Sequence, residues 1–317
     1  MIWSELSSVI AHNHSFLISS HMSIDGDCAG SELAMSWYLK TLSKRVAVYN
    51  HEALPTKFAF LHDADTLTHT RPSGPFDVLM VLDCSNPQRI GWEGMEQAAP
   101  IIVNIDHHRD NVNFGHINIV RGDASATAQI IYEYFSHITV DIPKAVAEAL
   151  YTAILTDTGG FRFSNTNGEV LSMCADLSNR GAQCSKIYEK VYASFSPNGL
   201  LLQARIWSTL AFYRGGTICS MEMPYRLIEE VGATYGDSEG MADLTILASG
   251  VEVGMLIKYS PMQTHFSLRS TGRIDVGKIA KAIEGGGGHS SAAGCTMSLP
   301  FEQAKPRMLE ILFRELG

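Results

Sequence analysis

Although the chain has six cysteines, none stands in a Cys-x-x-Cys pair. That removes the usual signature of a zinc finger or a thioredoxin-like redox site and leaves reduced, buried thiols as the expectation. Long apolar runs are also missing, so no segment reads as a bilayer span. The start, Met1-Ile2-Trp3-Ser4-Glu5, lacks the basic-then-apolar order of a secretory signal. These absences predict a cytoplasmic protein without a membrane partner. Positive charge is scarce: 24 Lys and Arg stand against 33 Asp and Glu, for a formal net charge of −9. Such a chain has no global field for tight binding of long duplex nucleic acid. A polyanionic substrate would have to be small or short, held by local cations or metals. There is no internal repeat, and no low-complexity tract beyond four glycines at 285–288.

What is present is ordinary in bulk. The 317 residues, 45% hydrophobic and 18% charged, suffice for two domains, or one with a large addition. The segments Ser15–Ser19, Arg45–Tyr49, Phe76–Leu82 and Ile101–Ile105 read as strands. A helix is expected from Cys28 or Ala29 to about Leu42, and others over 125–137 and 143–155. Strand, helix and strand in alternation predict an α/β fold built on a doubly wound parallel sheet. From 185 to 213 the pattern turns largely helical and reads as a connector. Beyond Arg214-Gly215-Gly216 strands return near 217–223, 251–259 and 265–269. Helices follow near 276–283 and 301–316, giving a second, smaller α/β domain. The expected boundaries are therefore 1–184, 185–213 and 214–317.

The chemistry-bearing residues stand where the first-domain elements end. The run Ile101-Ile102-Val103-Asn104-Ile105 leads into Asp106-His107-His108. Similar polar clusters are His21/Asp25/Asp27 after the first strand, Asp83 after the third, and Asp157 at the end of an apolar helix. In open parallel sheets ligands bind at the carboxyl ends of the strands, so all four clusters can face one crevice. Several carboxylates with one or two imidazoles suit a pair of divalent ions bridged by one carboxylate. Oxygen-rich ligation without cysteine favours Mn²⁺ or Mg²⁺ over structural zinc. Such a pair activates water and clamps a phosphoryl oxygen. In the second domain, Gly286-Gly287-Gly288 would let backbone N–H groups approach an anion, with a helix N-terminus expected after them. Arg269 would offer a planar fork to the same phosphate, and His289 a donor.

His21-x-x-x-Asp25-x-Asp27, Asp83, Asp106-His107-His108 and Asp157 resemble, in order and spacing, the four motifs of the DHH phosphoesterase superfamily. That superfamily includes RecJ exonucleases, family II pyrophosphatases and cyclic-dinucleotide phosphodiesterases. Ser267-Leu268-Arg269-Ser270, the glycine run with His289, and Ala292-Ala293-Gly294 resemble the DHH-associated substrate-binding domain. Thr156-Asp157-Thr158-Gly159 followed by Phe161–Thr166 is similar to the short, two-domain nanoRNase/pAp phosphatase subfamily. The resemblance implies a catalytic domain over 1–184 and a substrate-binding domain over 214–317, with the active site in the cleft between them. It implies that His21 and Asp25 bind a first metal, that Asp27, His107 and Asp157 bind a second, and that Asp83 bridges them. His108 would face the substrate phosphate or leaving oxygen, with Asp106 orienting an imidazole. The implied cofactor is two Mn²⁺ ions, with Mg²⁺ open. The implied substrates are short single-stranded oligoribonucleotides, cut to mononucleotides, and 3′-phosphoadenosine 5′-phosphate, converted to AMP. A homodimer is left open.

Two alternatives stand beside this expectation. A phosphodiesterase acting on c-di-AMP or pApA would use the same ligands. A non-catalytic nucleotide-binding module would show a lost ligand, and none is missing. Ser23-Ile24, where relatives often have Asn-Pro, and Cys28, where a small residue is commoner, depart from the pattern without removing a ligand.

Overall fold

The computed structural model describes residues 2–283, 286–288 and 290–317. The chain divides into two compact units, Met1–Ser194 and Phe195–Gly317. Among the described residues no helix is long and apolar enough to cross a membrane. All six cysteines are free, and Cys184 is the one that is not fully buried.

The first unit runs α1 (Ile2–His12), β1 (Ser15–Ser19), α2 (Gly26–Thr41), β2 (Arg45–Val48), β3 (Val78–Leu82), β4 (Ile101–Asp106), β5 (Ile117–Val120), α3 (Thr127–His137), α4 (Lys144–Asp157), α5 (Gly168–Asn179) and α6 (Cys184–Tyr192). Its five strands lie in the order β2-β1-β3-β4-β5, and every pair is parallel. Buried on both faces, the central strands are continuous apolar runs, as Val78-Leu79-Met80-Val81-Leu82 illustrates. Alternate side chains serve different cores. Phe16, Ile18, Met80, Val103 and Ile105 join a large cluster with α1 to α6. Leu17, Leu79, Val81 and Ile102 meet Ile90 and Met95 from short 3-10 turns on the other face.

Helix α2 begins at Gly26, earlier than the sequence pattern indicated. The reason is its cap: Asp25 Oδ1 accepts from the backbone N–H of Asp27 and of Cys28, each at 3.0 Å. Asp27 is thereby drawn inside the first turn. Small residues let α2 and α4 approach closely in opposite directions. A Cβ at Gly30 would lie 2.3 Å from the Ala149 carbonyl oxygen and 2.8 Å from the Ala153 Cβ. The start of α2 and the end of α4 are brought together by this packing.

The second unit contains α7 (Pro197–Trp207), β6 (Ala211–Tyr213), β7 (Ile218–Pro224), α8 (Arg226–Val231), α9 (Met241–Leu244), β8 (Val253–Ser260), β9 (Gln263–Ser270), α10 (Val276–Lys281), β10 (Gly287–Gly288), β11 (Ala292–Met297) and α11 (Phe301–Glu315). Among the described residues, six strands lie in the order β10-β11-β9-β8-β7-β6, with β7 and β8 parallel and the other pairs antiparallel. One sheet face packs on α10 and α11 through Phe266, Leu268, Met308 and Leu312. Leu256 on the other face meets Leu202 and Ile206 of α7. The helical stretch at 185–213 is thus divided: α6 falls in the first unit, α7 and β6 in the second.

The Gly30 packing sets a test. Gly30→Ala should cost about 1–3 kcal/mol of stability, because the added methyl meets a backbone carbonyl that cannot rotate away. A urea unfolding midpoint equal to that of the wild type would refute the close-packing account.

Candidate active site

Three neighbouring strands, β1, β3 and β4, end on the same side, and each is followed by polar residues of the candidate site. His21 lies two residues past β1, and Asp83 directly follows β3. Asp106 is the last residue of β4, with His107 and His108 behind it. Asp83 takes a left-handed backbone (φ 53°), a conformation that aspartate tolerates better than most residues. Its N–H donates to the Ile105 carbonyl at 2.9 Å, tying the end of β3 to the end of β4. Asp157 closes α4, opposite the α2 turn that carries Asp25 and Asp27.

The structure brings His21, Asp25, Asp27, Asp83, Asp106, His107, His108 and Asp157 together. Asp83 sits in the middle with its two oxygens turned to different neighbours. Oδ2 is 3.6 Å from His21 Nε2, and Oδ1 is 3.4 Å from His107 Nε2. His21 Nε2 also lies 3.7 Å from Asp25 Oδ2. His107 Nε2 lies 3.4 Å from Asp157 Oδ2 and 3.9 Å from Asp27 Oδ2. Two sets of donor atoms, one from His21, Asp25, Cys28 and Asp83 and one from Asp27, His107 and Asp157, each fall within 4.8 Å of one another. Either could hold a metal ion. Asp83, His107 and His108 form a third such set, but His108 Nδ1 is engaged by Asp106 Oδ1 at 2.6 Å. That bond fixes the ring and makes Nδ1 a poor ligand.

Burial and crowding make the charges interdependent. Burial alone would raise the Asp83 carboxyl, but the hydrogen bond from His107 and the charges of His108, His107 and His21 hold it well below the usual carboxylate range. Burial would lower His21, yet the hydrogen bond and charge of Asp25, with the charge of Asp83, keep it at about 9. Asp27 is fully buried, and burial together with the neighbouring Asp83 charge pushes it up to about 7. Asp27 is nevertheless well supplied with donors at the start of α3. Thr127 N–H donates to Oδ2 at 2.6 Å and Ala128 N–H to Oδ1 at 3.0 Å. The donor atoms, nitrogen and oxygen with the Cys28 sulfur beside the first set, fit divalent cations, whose charge would relieve the repulsion between acids.

Several residues that shape the site gave no local sequence signal. Thr127 Oγ1 donates to Asp83 Oδ1 at 3.2 Å. Asn111 Nδ2 donates to Asp106 Oδ2 at 2.5 Å and to Asn104 Oδ1 at 2.8 Å. Asn165, read from sequence as part of a turn, donates to the carbonyls of Ser125 and Asp157 at 3.0 and 3.1 Å. Cys28 Sγ donates to Asp83 Oδ2 at 3.3 Å. Glu32 is fully buried one helical turn further along α2, where Asn50 Nδ2 donates to its Oε2 at 2.8 Å. Burial pushes its carboxyl up to about 8 against the hydrogen bonds from Asn50 and Ser20.

In the second unit, Arg269 lies on the half-exposed face of β9 with His265 and Ser267. Its Nε is ion-paired with Asp243 of α9, and Nη1 donates to the Leu268 carbonyl at 3.0 Å. Gly287 and Gly288 pair with Gly294 and Ala293. Gly286 has no room for a side chain, since a Cβ would meet the Ala280 carbonyl oxygen at 2.0 Å. The helix N-terminus expected after the glycine run is replaced by β11. The small residues Ala292, Ala293 and Gly294 pair there with Arg269, Leu268 and Ser267, so strand pairing wins over a helix. His289 and Gly285 lie outside the described residues.

Residues 15–154 match the family model of the DHH family, N-terminal domain, and residues 221–317 match that of the DHHA1 domain. The chain belongs to the DHH family. It is 32% identical over 301 residues to the bifunctional oligoribonuclease and PAP phosphatase NrnA of Thermus thermophilus, covering 94% of this chain and 89% of that protein. Identity to the protein of the same name from Bacillus subtilis is 23% over 296 residues, 92% of each chain. A solved exopolyphosphatase-related protein from Bacteroides fragilis superposes with a TM-score of 0.87 at 26% identity, over 97% of this chain and 94% of that one.

Glu32 supplies a pH test. It holds its proton more tightly in the fold than in the unfolded chain. Its stabilising share is therefore complete below pH 4.5 and is lost as the pH rises through about 8. In cation-free protein, Glu32→Gln should be close to neutral at pH 5. It should be stabilising at pH 9, with an upper bound of roughly a few kcal/mol. Thermal melts showing the same difference at both values would contradict this.

Proposed function

We propose that this chain is a two-cation phosphoesterase that cuts short oligoribonucleotides to mononucleotides and dephosphorylates 3′-phosphoadenosine 5′-phosphate to AMP. The observation that carries the reading is Asp83, whose two carboxylate oxygens face His21 and His107 separately. One carboxylate shared between two donor sets is the arrangement that a pair of cations requires. His21 and Asp25 would hold one ion, Asp27, His107 and Asp157 the other, and Asp83 would belong to both. The nitrogen and oxygen donors suit Mn²⁺, and Mg²⁺ less well because two imidazoles take part. When bound, the cations supply an activated water and neutralise charge building on the phosphoryl oxygens.

The rest of the work falls to the chain. Asp106 holds His108 by Nδ1 and so fixes the orientation of the ring, whose proposed role is to face the phosphate or the leaving oxygen. Asn111 holds Asp106 in turn. Arg269, braced by Asp243, would take a phosphate of the substrate. Gly286, Gly287 and Gly288 would line the same subsite. The names of the Thermus and Bacillus relatives support this substrate pair. The net charge of −9 supports short substrates over long duplexes. The expected compartment is the cytoplasm.

A Mn²⁺-dependent turnover panel of dinucleotides, five-mers, 3′-phosphoadenosine 5′-phosphate, c-di-AMP and pyrophosphate tests the reading. Mononucleotides and AMP are the expected products. Activity confined to c-di-AMP or pyrophosphate would displace the substrate assignment, and full activity after complete chelation would remove the two-cation mechanism. Asp83→Ala should reduce turnover of every substrate to the chelated background. Arg269→Ala should raise KM on the order of tenfold, the usual consequence of losing one charge-assisted hydrogen bond. An unchanged KM would take Arg269 out of the substrate site.

A further inference from the structure

On the basis of the two-cation reading above, we propose that Cys28 is a fourth donor at the first cation position, beside His21, Asp25 and Asp83. Its thiolate would make that position prefer borderline ions such as Co²⁺ and Zn²⁺ and reject Mg²⁺. Cys28 is fully buried in the first turn of α2. Sγ stands 3.3 Å from Asp83 Oδ2, and that same oxygen is 3.6 Å from His21 Nε2. His21 Nε2 is in turn 3.7 Å from Asp25 Oδ2. Bonds of about 2.1 Å to nitrogen and oxygen and about 2.3 Å to sulfur put tetrahedral donors about 3.4–3.6 Å apart. The spacings found here are close to those around a single ion.

The local backbone fixes the arrangement. Asp25 Oδ1 accepts from the Cys28 N–H in the cap of α2, so the carboxylate and the thiol belong to one rigid turn. Asp25 Oδ2 remains turned toward His21. In the cation-free protein the Cys28 S–H donates to Asp83 Oδ2. Binding would replace the S–H bond by a sulfur–metal bond and release that proton to solvent. Thiolate is a soft ligand that Mg²⁺ cannot use, whereas Co²⁺ and Zn²⁺ bind it well. The second position has only imidazole and carboxylate donors, so the two positions would rank ions differently. A buried thiol that only packs would have none of these effects.

Cobalt titration of the full chain reads this directly. The wild type should show a near-ultraviolet thiolate-to-cobalt charge-transfer band as well as visible d–d bands. Cys28→Ser should keep the visible bands and lose the charge-transfer band. It should release one proton fewer per two cobalt ions and bind zinc on the order of tenfold or more weakly, since even outer-shell partners matter that much. Mg²⁺ binding should not weaken. Cys28→Ala serves as a second variant, and the wild-type spectrum does not depend on either variant folding. Cobalt bound without a charge-transfer band, or a band persisting in Cys28→Ser, would overturn the role of Cys28 and leave the two-cation reading intact. A wild type that binds neither cobalt nor manganese would overturn both.

Discussion

The structure of the first unit depends on one buried carboxylate. Asp83 is 2% exposed and carries its charge among three imidazoles, from His21, His107 and His108. A lone carboxylate at that depth would be costly, and it is stable only while those rings surround it. The rings come from the ends of β1 and β4, the two strands that flank β3. A parallel sheet in this order is therefore what makes the charged site possible. Antiparallel pairing of β3 with either neighbour would send the imidazoles to the opposite edge.

The helices supply the second half of the arrangement. Close packing of α2 on α4 brings the capping turn of one to the end of the other, so Asp25, Asp27 and Asp157 arrive beside Asp83. The N-terminus of α3 then donates two backbone N–H groups to Asp27, favouring its charge where burial opposes it. Several acids crowded this tightly repel one another, and the fold tolerates them through imidazoles and amide donors. Divalent cations answer the same problem more strongly. The crowding of acids and the fit to cations have one origin, which is the usual relation between stability and function at a site.

How legible was this in the chain? The strands were, because Val78–Leu82 and Ile101–Val103 are apolar without interruption and polar residues follow them. The site residues were legible for the same reason: Asp83, Asp106, His107 and His108 follow those stops, and family resemblance gathered them with His21, Asp25, Asp27 and Asp157. The contribution of Thr127 was not, since it lies 44 residues from the Asp83 it touches. Glu32 gave no signal either, because a glutamate within a helix usually faces solvent. The segment after the glycine run was misjudged as a helix start. Its small residues suit helix and strand alike, and pairing with β9 decides between them.

By itself, the order of residues determined where apolar segments end and which polar groups follow. These are local matters of periodicity and hydrogen-bonding capacity within a few residues. Tertiary structure alone decided that Asp83 divides its oxygens between His21 and His107, that Cys28 reaches the same carboxylate, and that Glu32 is sealed from water. Each of these depends on a distance between segments far apart in the chain. Such distances are set by which side-chain faces pack together, and no local pattern encodes them.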